Sequence, residues 1–292
     1  MFNYVSVSDN QLYLIDLGAG AARKLTDSSK PVGYDGLKFA PDGRLWAASD
    51  YGSDVKRLGV VNRETSEFEP VVDEKNWDIT DFDISRDGRW IAFEVNQAGR
   101  SLLKFYDTQS GTIRAIDALP AGVISGVKFA PWGELGITLN SNRTGSDAYS
   151  VDPETLAVTR WTRSETGGLD AADNVAPELV GIASFDGEKM SGYLYRPDPA
   201  RHEGKRPLII SVHGGPEGQA KPHFLGRDNY LVNELGIALF YPNVRGSTGF
   251  GKRFVALDNG PWLRENSVLD IGAFLDHLRK DRRSDRKRIA IT

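Results

Sequence analysis

A partial β-propeller followed by an α/β fold is the architecture that the sequence predicts, and three observations lead to it. A strand-and-turn motif recurs at a constant spacing in the first half of the chain. That half shows no helical periodicity, and the second half alternates strand-like and helix-like segments. The chain has 292 residues, which is long enough for two domains because single domains usually have roughly 100–200 residues.

The repeat in the first half is a strand that ends in a glycine turn. It reads LKFAPDGR at 37–44, FDISRDGR at 82–89 and VKFAPWGE at 127–134, and its glycines stand 45 residues apart. An Asp or Asn that closes a strand-like segment keeps nearly the same spacing, at Asp16, Asn62, Asp107 and Asp152. A period of about 45 residues with space for four strands is typical of propeller blades, which bury their faces only against neighbouring blades.

We therefore predict three complete blades, at about 36–72, 81–118 and 126–163. The segment 1–26 holds strand-like runs but lacks the strand that opens the other blades, so it is predicted to form an incomplete blade. Because propellers close with about 4–8 blades, we expect the chain to start late in its propeller. The turns and aromatic residues of the repeat are predicted to build the scaffold and to take no part in catalysis.

Residues 166–177 are rich in glycine and aspartate and predict a linker between two domains. The first domain, 1–165, is predicted to be the partial propeller, with one incomplete and three complete blades. The second domain, 178–292, begins with a hairpin and continues with alternating strands and helices. This order is typical of α/β folds with a parallel sheet.

The elements of the second domain follow from turn residues and apolar patterns. The hairpin turns at Asp186-Gly187, and strands without polar alternation are expected to be buried on both faces of a parallel sheet. A helix is predicted where apolar residues recur at steps of three and four, with Asn266 or Ser267 as its cap. The predicted strands are 179–185, 189–195, 207–212, 237–241 and 288–292, and the predicted helices are 228–235 and 267–279.

Two glycine-containing loops follow predicted strands of this sheet, at the edge where such sheets place their chemistry. The first loop is HGGPE at 213–217. In an α/β-hydrolase fold this loop supplies a backbone N–H of the oxyanion hole, and glycines let the backbone approach the developing charge. Gly214 is our candidate for that donor, and the His213 side chain is a further candidate. A tight turn without a catalytic role is the alternative interpretation.

The second loop is NVRGSTGFG at 243–251. Arg245 could bind a carboxylate of the protein or of a substrate, and a structural salt bridge is at least as good an interpretation as a substrate contact. Glu217 and Arg245 are the candidates for the substrate pocket. Ser247 is predicted to be a loop residue, because the sequence around it lacks the G-x-S-x-G spacing of a nucleophile elbow.

The composition excludes several kinds of function. The net charge is −4 and no block of like charge occurs, so nucleic acid is not expected as a partner. No apolar segment is long enough to cross a bilayer, so a membrane is not expected either. The chain has no cysteine and no visible cluster of metal ligands, so no cofactor is expected. The N-terminus shows no secretory signal, which predicts a cytoplasmic protein. The oligomeric state is left open.

Four segments occur together in a characteristic order: VAPE at 175–178, SVHGGPEGQ at 211–219, the loop at 243–251, and DNG followed by NSVLDIG within 258–272. In this the chain resembles, over essentially its whole length, the prolyl oligopeptidase family of serine peptidases, which includes dipeptidyl and acylaminoacyl peptidases. The resemblance implies TolB-like propeller blades that restrict access to an α/β-hydrolase domain, where a Ser-Asp-His triad hydrolyses the bonds of short peptides. It also implies that His213 and Gly214 belong to the oxyanion loop.

The same resemblance implies a nucleophile in a Gly-x-Ser-x-Gly motif directly after the strand at 288–292, and the sequence contains no such motif. The whole triad is therefore expected beyond Thr292. We expect a peptidase fragment, truncated at both ends and inactive by itself, whose substrate in the complete protein is a peptide. Two alternatives stay open. One is a non-catalytic propeller binding module with a hydrolase remnant, and the other is an esterase of the same fold.

Overall fold

The computed structural model describes residues 1–26, 31–215 and 217–292. The parts of the predictions that fall on 27–30 and on Pro216 lie outside the described residues. Within the described ranges the chain forms five sheets, of which one has three strands, three have four strands and one has five strands. No helix in these ranges is long and apolar enough to cross a membrane.

The first sheet is antiparallel and has three strands in the order β1-β2-β3. These are β1 (Phe2–Ser6), β2 (Asp9–Ile15) and β3 (Ala22–Lys24). Leu12 of β2 is fully buried and packs with Tyr34 and Leu45 of the next sheet. The three-stranded sheet lies where the sequence predicts an incomplete blade.

The next three sheets are antiparallel meanders in which each strand pairs with its neighbours in sequence. This is the strand arrangement of propeller blades. The strands are β4 (Tyr34–Phe39), β5 (Leu45–Ser49), β6 (Arg57–Val61), β7 (Phe68–Val72), β8 (Asp78–Ile84), β9 (Trp90–Gln97), β10 (Arg100–Asp107), β11 (Ile113–Ala115), β12 (Gly122–Phe129), β13 (Leu135–Ser141), β14 (Asp147–Val151) and β15 (Val158–Arg160).

The regularly spaced Asp and Asn residues hold the turns between the last two strands of each of the first four sheets. The side-chain oxygen of Asp16 accepts from the Gly18 N–H at 2.8 Å. Asn62 Oδ1 accepts from the N–H of the residue two positions on, Glu64, at 2.8 Å. Asp107 and Asp152 make the same contact at 2.9 and 2.8 Å. Because Asp and Asn side chains can replace a backbone acceptor in this way, the marker recurs once in each sheet.

The faces of neighbouring blades bury aromatic side chains against each other. Trp46, Phe82 and Phe93 are at most 1% exposed and belong to one apolar cluster between the second and third sheets. Phe105 packs against Phe129 at 6.1 Å between ring centres and joins the third sheet to the fourth. Full burial of each such ring contributes about 1.5–3 kcal/mol, so the blades stabilise one another.

The fifth sheet is mixed, and its strand order is β16-β17-β19-β18-β20. Strand β18 runs parallel to both of its neighbours, β19 and β20, and the other two pairs are antiparallel. The strands are β16 (Glu178–Ala183), β17 (Lys189–Tyr195), β18 (Arg206–Ile210), β19 (Ala238–Asn243) and β20 (Ser284–Ile291). The helices are α1 (Asn229–Asn233), α2 (Lys252–Ala256) and α3 (Asn266–Lys280), and short 3₁₀ turns lie at Ala171–Asp173 and Gly226–Asp228.

Helix α3 covers one face of this sheet, because Phe274 and Leu278 are buried and the Phe274 ring lies 4.9 Å from that of Phe240 in β19. The predicted side-chain cap of α3 is wrong. The residue before the helix is Glu265, which makes no side-chain capping bond, and the Ser267 hydroxyl donates to the Arg264 carbonyl at 2.8 Å. The predicted helix at 228–235 is shorter than expected and follows a 3₁₀ turn.

The blades and the mixed sheet meet along a polar seam. Asn96, at the end of β9, donates to the Gln219 side chain at 2.7 Å. The side-chain oxygen of Asn140 accepts from the Phe224 N–H at 2.8 Å. Asp54 accepts from the Arg253 N–H at 2.6 Å. Residues of three different blades therefore contact the segments of the mixed-sheet domain that follow β18 and β19.

Candidate functional site

Both predicted loops lie at one edge of the mixed sheet. The loop 211–219 follows β18, and the loop 243–251 follows β19. The Val212 N–H donates to the carbonyl of Thr292 at 2.9 Å, and the Thr292 N–H donates to Ile210 at 2.9 Å. The end of β20 therefore lies directly beside the start of the first loop, because parallel strands point their carboxyl ends to the same edge.

Hydrogen bonds of Thr248 and His213 connect the two loops to each other. The Thr248 N–H donates to the Gly218 carbonyl at 2.9 Å. His213 Nε2 lies 3.0 Å from the hydroxyl oxygen of Ser247, and Ser247 is fully buried. The sequence predicts only a loop residue at Ser247, and no local pattern indicates that it would meet His213.

The His213 ring has a second polar neighbour besides Ser247. Its Nδ1 lies 3.3 Å from the Gly214 carbonyl, which can only accept a hydrogen bond. Both ring nitrogens of His213 therefore face a polar atom of the protein. The His213 side chain is thus used inside the protein, so it is less suited to be an oxyanion donor than the backbone. Ser247, being fully buried, is not placed to attack a substrate.

Gly214 is exposed, and its N–H donates to no residue in the described part of the chain. A Cβ atom built on it would have no neighbour within 4 Å. The backbone at Gly214 can thus be reached by a ligand. Glu217, the other candidate in this loop, is also exposed.

Arg245 forms an internal ion pair. This is the alternative to a substrate contact that the sequence leaves open. It is 2% exposed, and its Nε and Nη2 atoms donate to Asp270 of α3 at 2.9 and 2.8 Å. Its Nη1 atom donates to Asp186, in the β16–β17 turn, at 2.9 Å. The prediction of Arg245 in a substrate pocket is therefore corrected, because its donors are occupied by the protein's own carboxylates.

These contacts shift the pKa values of Asp186 and Arg245. Hydrogen bonds from Arg245 lower the pKa of Asp186 to about 2, and the carboxylates, Asp270 first, raise the pKa of Arg245. Arg245 and Asp186 therefore stay charged at neutral pH. The pair joins the second loop to α3 and to the hairpin, and so fixes the position of the loop.

Asp258 is a buried carboxyl group that the sequence does not single out as a site residue. It is 1% exposed, and its Oδ2 atom has no hydrogen-bond partner among the described residues. A Cβ atom at Gly246 would lie 2.6 Å from the Asp258 carboxyl carbon, so the second loop needs glycine there. Burial raises the Asp258 pKa, Arg264 lowers it, and the charge of Glu217 raises it again.

The described residues contain no group of three or more His, Asp or Glu side chains that could hold a metal ion. The arrangement presents the backbone N–H of the exposed residue Gly214 in a loop that hydrogen bonds hold in place. The end of the parallel strand β20 lies beside this loop. An exposed N–H at such an edge can stabilise negative charge on a bound group.

Comparison with known proteins agrees with this architecture. The chain is 35% identical over 137 residues to dipeptidyl aminopeptidase BIII of Pseudoxanthomonas mexicana, a match that covers 41% of this chain and 20% of the relative. It is 24% identical over 254 residues to dipeptidyl-peptidase 5 of Aspergillus fumigatus, covering 81% of this chain and 33% of the relative. No protein-family model matches the chain.

A solved structure of prolyl oligopeptidase B from Galerina marginata, bound to a 35mer substrate, shares the fold. It superposes with a TM-score of 0.83 at 16% identity, over 97% of this chain and 41% of that one. The chain thus spans between a fifth and a third of the length of the two curated relatives. The chain is thus similar in sequence to dipeptidyl peptidases, and it shares the fold of prolyl oligopeptidase B over nearly its whole length.

Proposed function

We propose that the chain supplies the oxyanion side of a serine-peptidase active site, in a protein that hydrolyses short peptides. In this proposal 1–165 is the partial propeller, 166–177 the linker and 178–292 the N-terminal part of an α/β-hydrolase domain. The observation that supports it is the exposed Gly214 N–H at the carboxyl edge of the parallel strands, beside the end of β20.

The chemistry follows from the placement of that N–H group. When a serine attacks a peptide carbonyl, negative charge develops on the carbonyl oxygen, and a preorganised backbone donor stabilises it. The hydrogen bonds at His213 and Thr248 hold the loop in place, so little reorganisation is needed when the charge develops. The His213 ring acts as a support in this proposal, and Gly214 is the donor.

The proposed nucleophile is a serine in a Gly-x-Ser-x-Gly turn after β20, because that strand ends next to the oxyanion loop. The 292 residues contain no such motif, so we propose that the isolated chain does not hydrolyse peptides. The propeller blades that contact both loops would limit access to short peptides in the whole protein. This gating is part of the proposal.

Two substitutions at Gly214 test the donor in the protein encoded by the complete gene. Gly214→Pro removes the N–H, and we expect kcat on a peptide anilide to fall by about 10²–10³, the loss typical of one oxyanion donor. Gly214→Ala is the matched control. It keeps the N–H, and its Cβ would enter open space, so kcat should change little.

Equal activity of the Pro and Ala variants would remove Gly214 from the mechanism. The esterase alternative is tested in the same assay by comparing peptide anilides with short acyl esters. Cleavage of the esters alone would replace the peptidase proposal with an esterase of the same fold.

A further inference from the structure

A cavity of about 420 Å³ opens at the seam between the blades and the mixed sheet, and we call it the seam cavity. Its apolar wall includes Trp77, directly before β8, and Leu179 and Tyr193 from the hairpin of the mixed sheet. Gln97, Arg100 and Asn142 contribute polar groups. The volume lies within the range of about 300–1,000 Å³ that ligand pockets usually have.

The wall of the seam cavity is held by specific contacts and is therefore preformed. The Tyr193 hydroxyl donates to the Ala98 carbonyl at 2.9 Å, across the seam. Gly99 approaches the mixed sheet so closely that a Cβ atom would lie 2.9 Å from the Ala220 carbonyl oxygen. Ala98 and Gly99 both have positive φ and form the two-residue turn between β9 and β10. This tight turn fixes the wall.

The same turn places Gln97 and Arg100 side by side, because they are cross-strand partners in the β9–β10 ladder. Both side chains are exposed. Within the described ranges, Arg100 has no acidic side chain within ion-pair distance, and the side chains of Gln97 and Asn142 make no hydrogen bond. The charge of Arg100 also acts on the hydroxyl of Tyr193. The guanidinium of Arg100, two amide groups and an apolar wall thus line the same cavity.

These groups match a short peptide with a free C-terminal carboxylate. A guanidinium binds a carboxylate with two parallel hydrogen bonds, which a neutral carboxamide cannot reproduce. Trp77 and Leu179 offer apolar surface for the last side chain of such a peptide. We propose that the seam cavity binds the carboxyl terminus of a short peptide, with its carboxylate on Arg100 and its terminal apolar side chain against Trp77 and Leu179.

The proposal concerns binding alone, so it can fail or hold independently of the proposed hydrolysis. The test uses the 292-residue chain and acetyl-Ala-Ala-Leu, whose blocked N-terminus leaves the carboxylate as its one charge. We expect saturable amide shifts at Ala98 and Gly99 in an NMR titration. The same tripeptide as a C-terminal amide should bind at least about tenfold more weakly, as should the free acid to Arg100→Gln, because a charge-assisted hydrogen bond is lost.

Arg86→Gln is the matched control, since Arg86 is an exposed arginine in the β8–β9 turn, at the other end of the same blade. It should leave the affinity unchanged. Arg100 is exposed, so Arg100→Gln should fold, and its thermal midpoint checks this. The proposal is overturned if neither peptide binds, if acid and amide bind equally, or if Arg100→Gln and Arg86→Gln have the same effect.

Discussion

Asp258 is an unusual residue of the candidate site, because its carboxyl group is buried against Gly246. Its Oδ2 atom has no hydrogen-bond partner among the described residues. Burial raises its pKa above the value in the unfolded chain. The folded state therefore holds this proton more tightly than the unfolded state does. As pH rises through the folded pKa, the buried group becomes charged and stability falls.

Asp258→Asn removes this charge, so we expect the variant to gain stability relative to the wild type at pH 7.5 and to gain less at pH 5. Thermal midpoints at the two pH values measure the difference. Asp42→Asn is the control with the opposite sign, because a backbone hydrogen bond from Arg44 lowers the pKa of this exposed residue. A gain for Asp258→Asn that is the same at both pH values would contradict the assignment.

At the scale of elements, Arg245 connects the β16–β17 turn, the second loop and α3. Its partner Asp270 is fully buried, so removal of the guanidinium leaves a buried carboxylate without its partner charge. We expect Arg245→Met to lower the free energy of unfolding by about 3–5 kcal/mol in urea denaturation. Arg253→Met is the control, because the Arg253–Glu188 pair has a side chain 58% exposed and should contribute about 0–1 kcal/mol.

If Arg245→Met and Arg253→Met destabilise the protein equally, the ion pair does not hold these elements together. A denaturation midpoint for Arg245→Met equal to that of the wild type would lead to the same conclusion.

The strand order and the position of the first loop could be predicted from the sequence. The repeat gave the order and approximate places of the strands, because each turn depends on local chemistry such as the hydrogen bond from the Gly18 N–H to Asp16. The loop at 213–217 could be located because it follows a continuous apolar strand. Contacts between residues that are far apart in the sequence leave no local sequence pattern. The hydrogen bond between Ser247 and His213 and the burial of Asp258 depend on how two loops approach each other.

For the whole molecule, the seam joins the blades to the loops of the candidate site. The side-chain amides of Asn96 and Gln219 are hydrogen-bonded to each other and link the third sheet to the first loop. Asp54 accepts from the Arg253 N–H and links the second sheet to α2, directly after the second loop. The relatives and the solved prolyl oligopeptidase B are longer than this chain, which spans 41% of that structure. In the function that we propose, this chain contributes the oxyanion side of the site through Gly214.

Labelling with a fluorophosphonate probe tests most directly whether this chain supplies the oxyanion side of the site and another segment supplies the nucleophile. We expect the protein encoded by the complete gene to be labelled at one serine, in a Gly-x-Ser-x-Gly motif shortly after Thr292, as identified by mass spectrometry of the labelled peptide. The 292-residue chain should remain unlabelled, because Ser247 is fully buried. Label on Ser247, or no label on the complete protein, would contradict the proposal that this chain is one side of a serine-peptidase site.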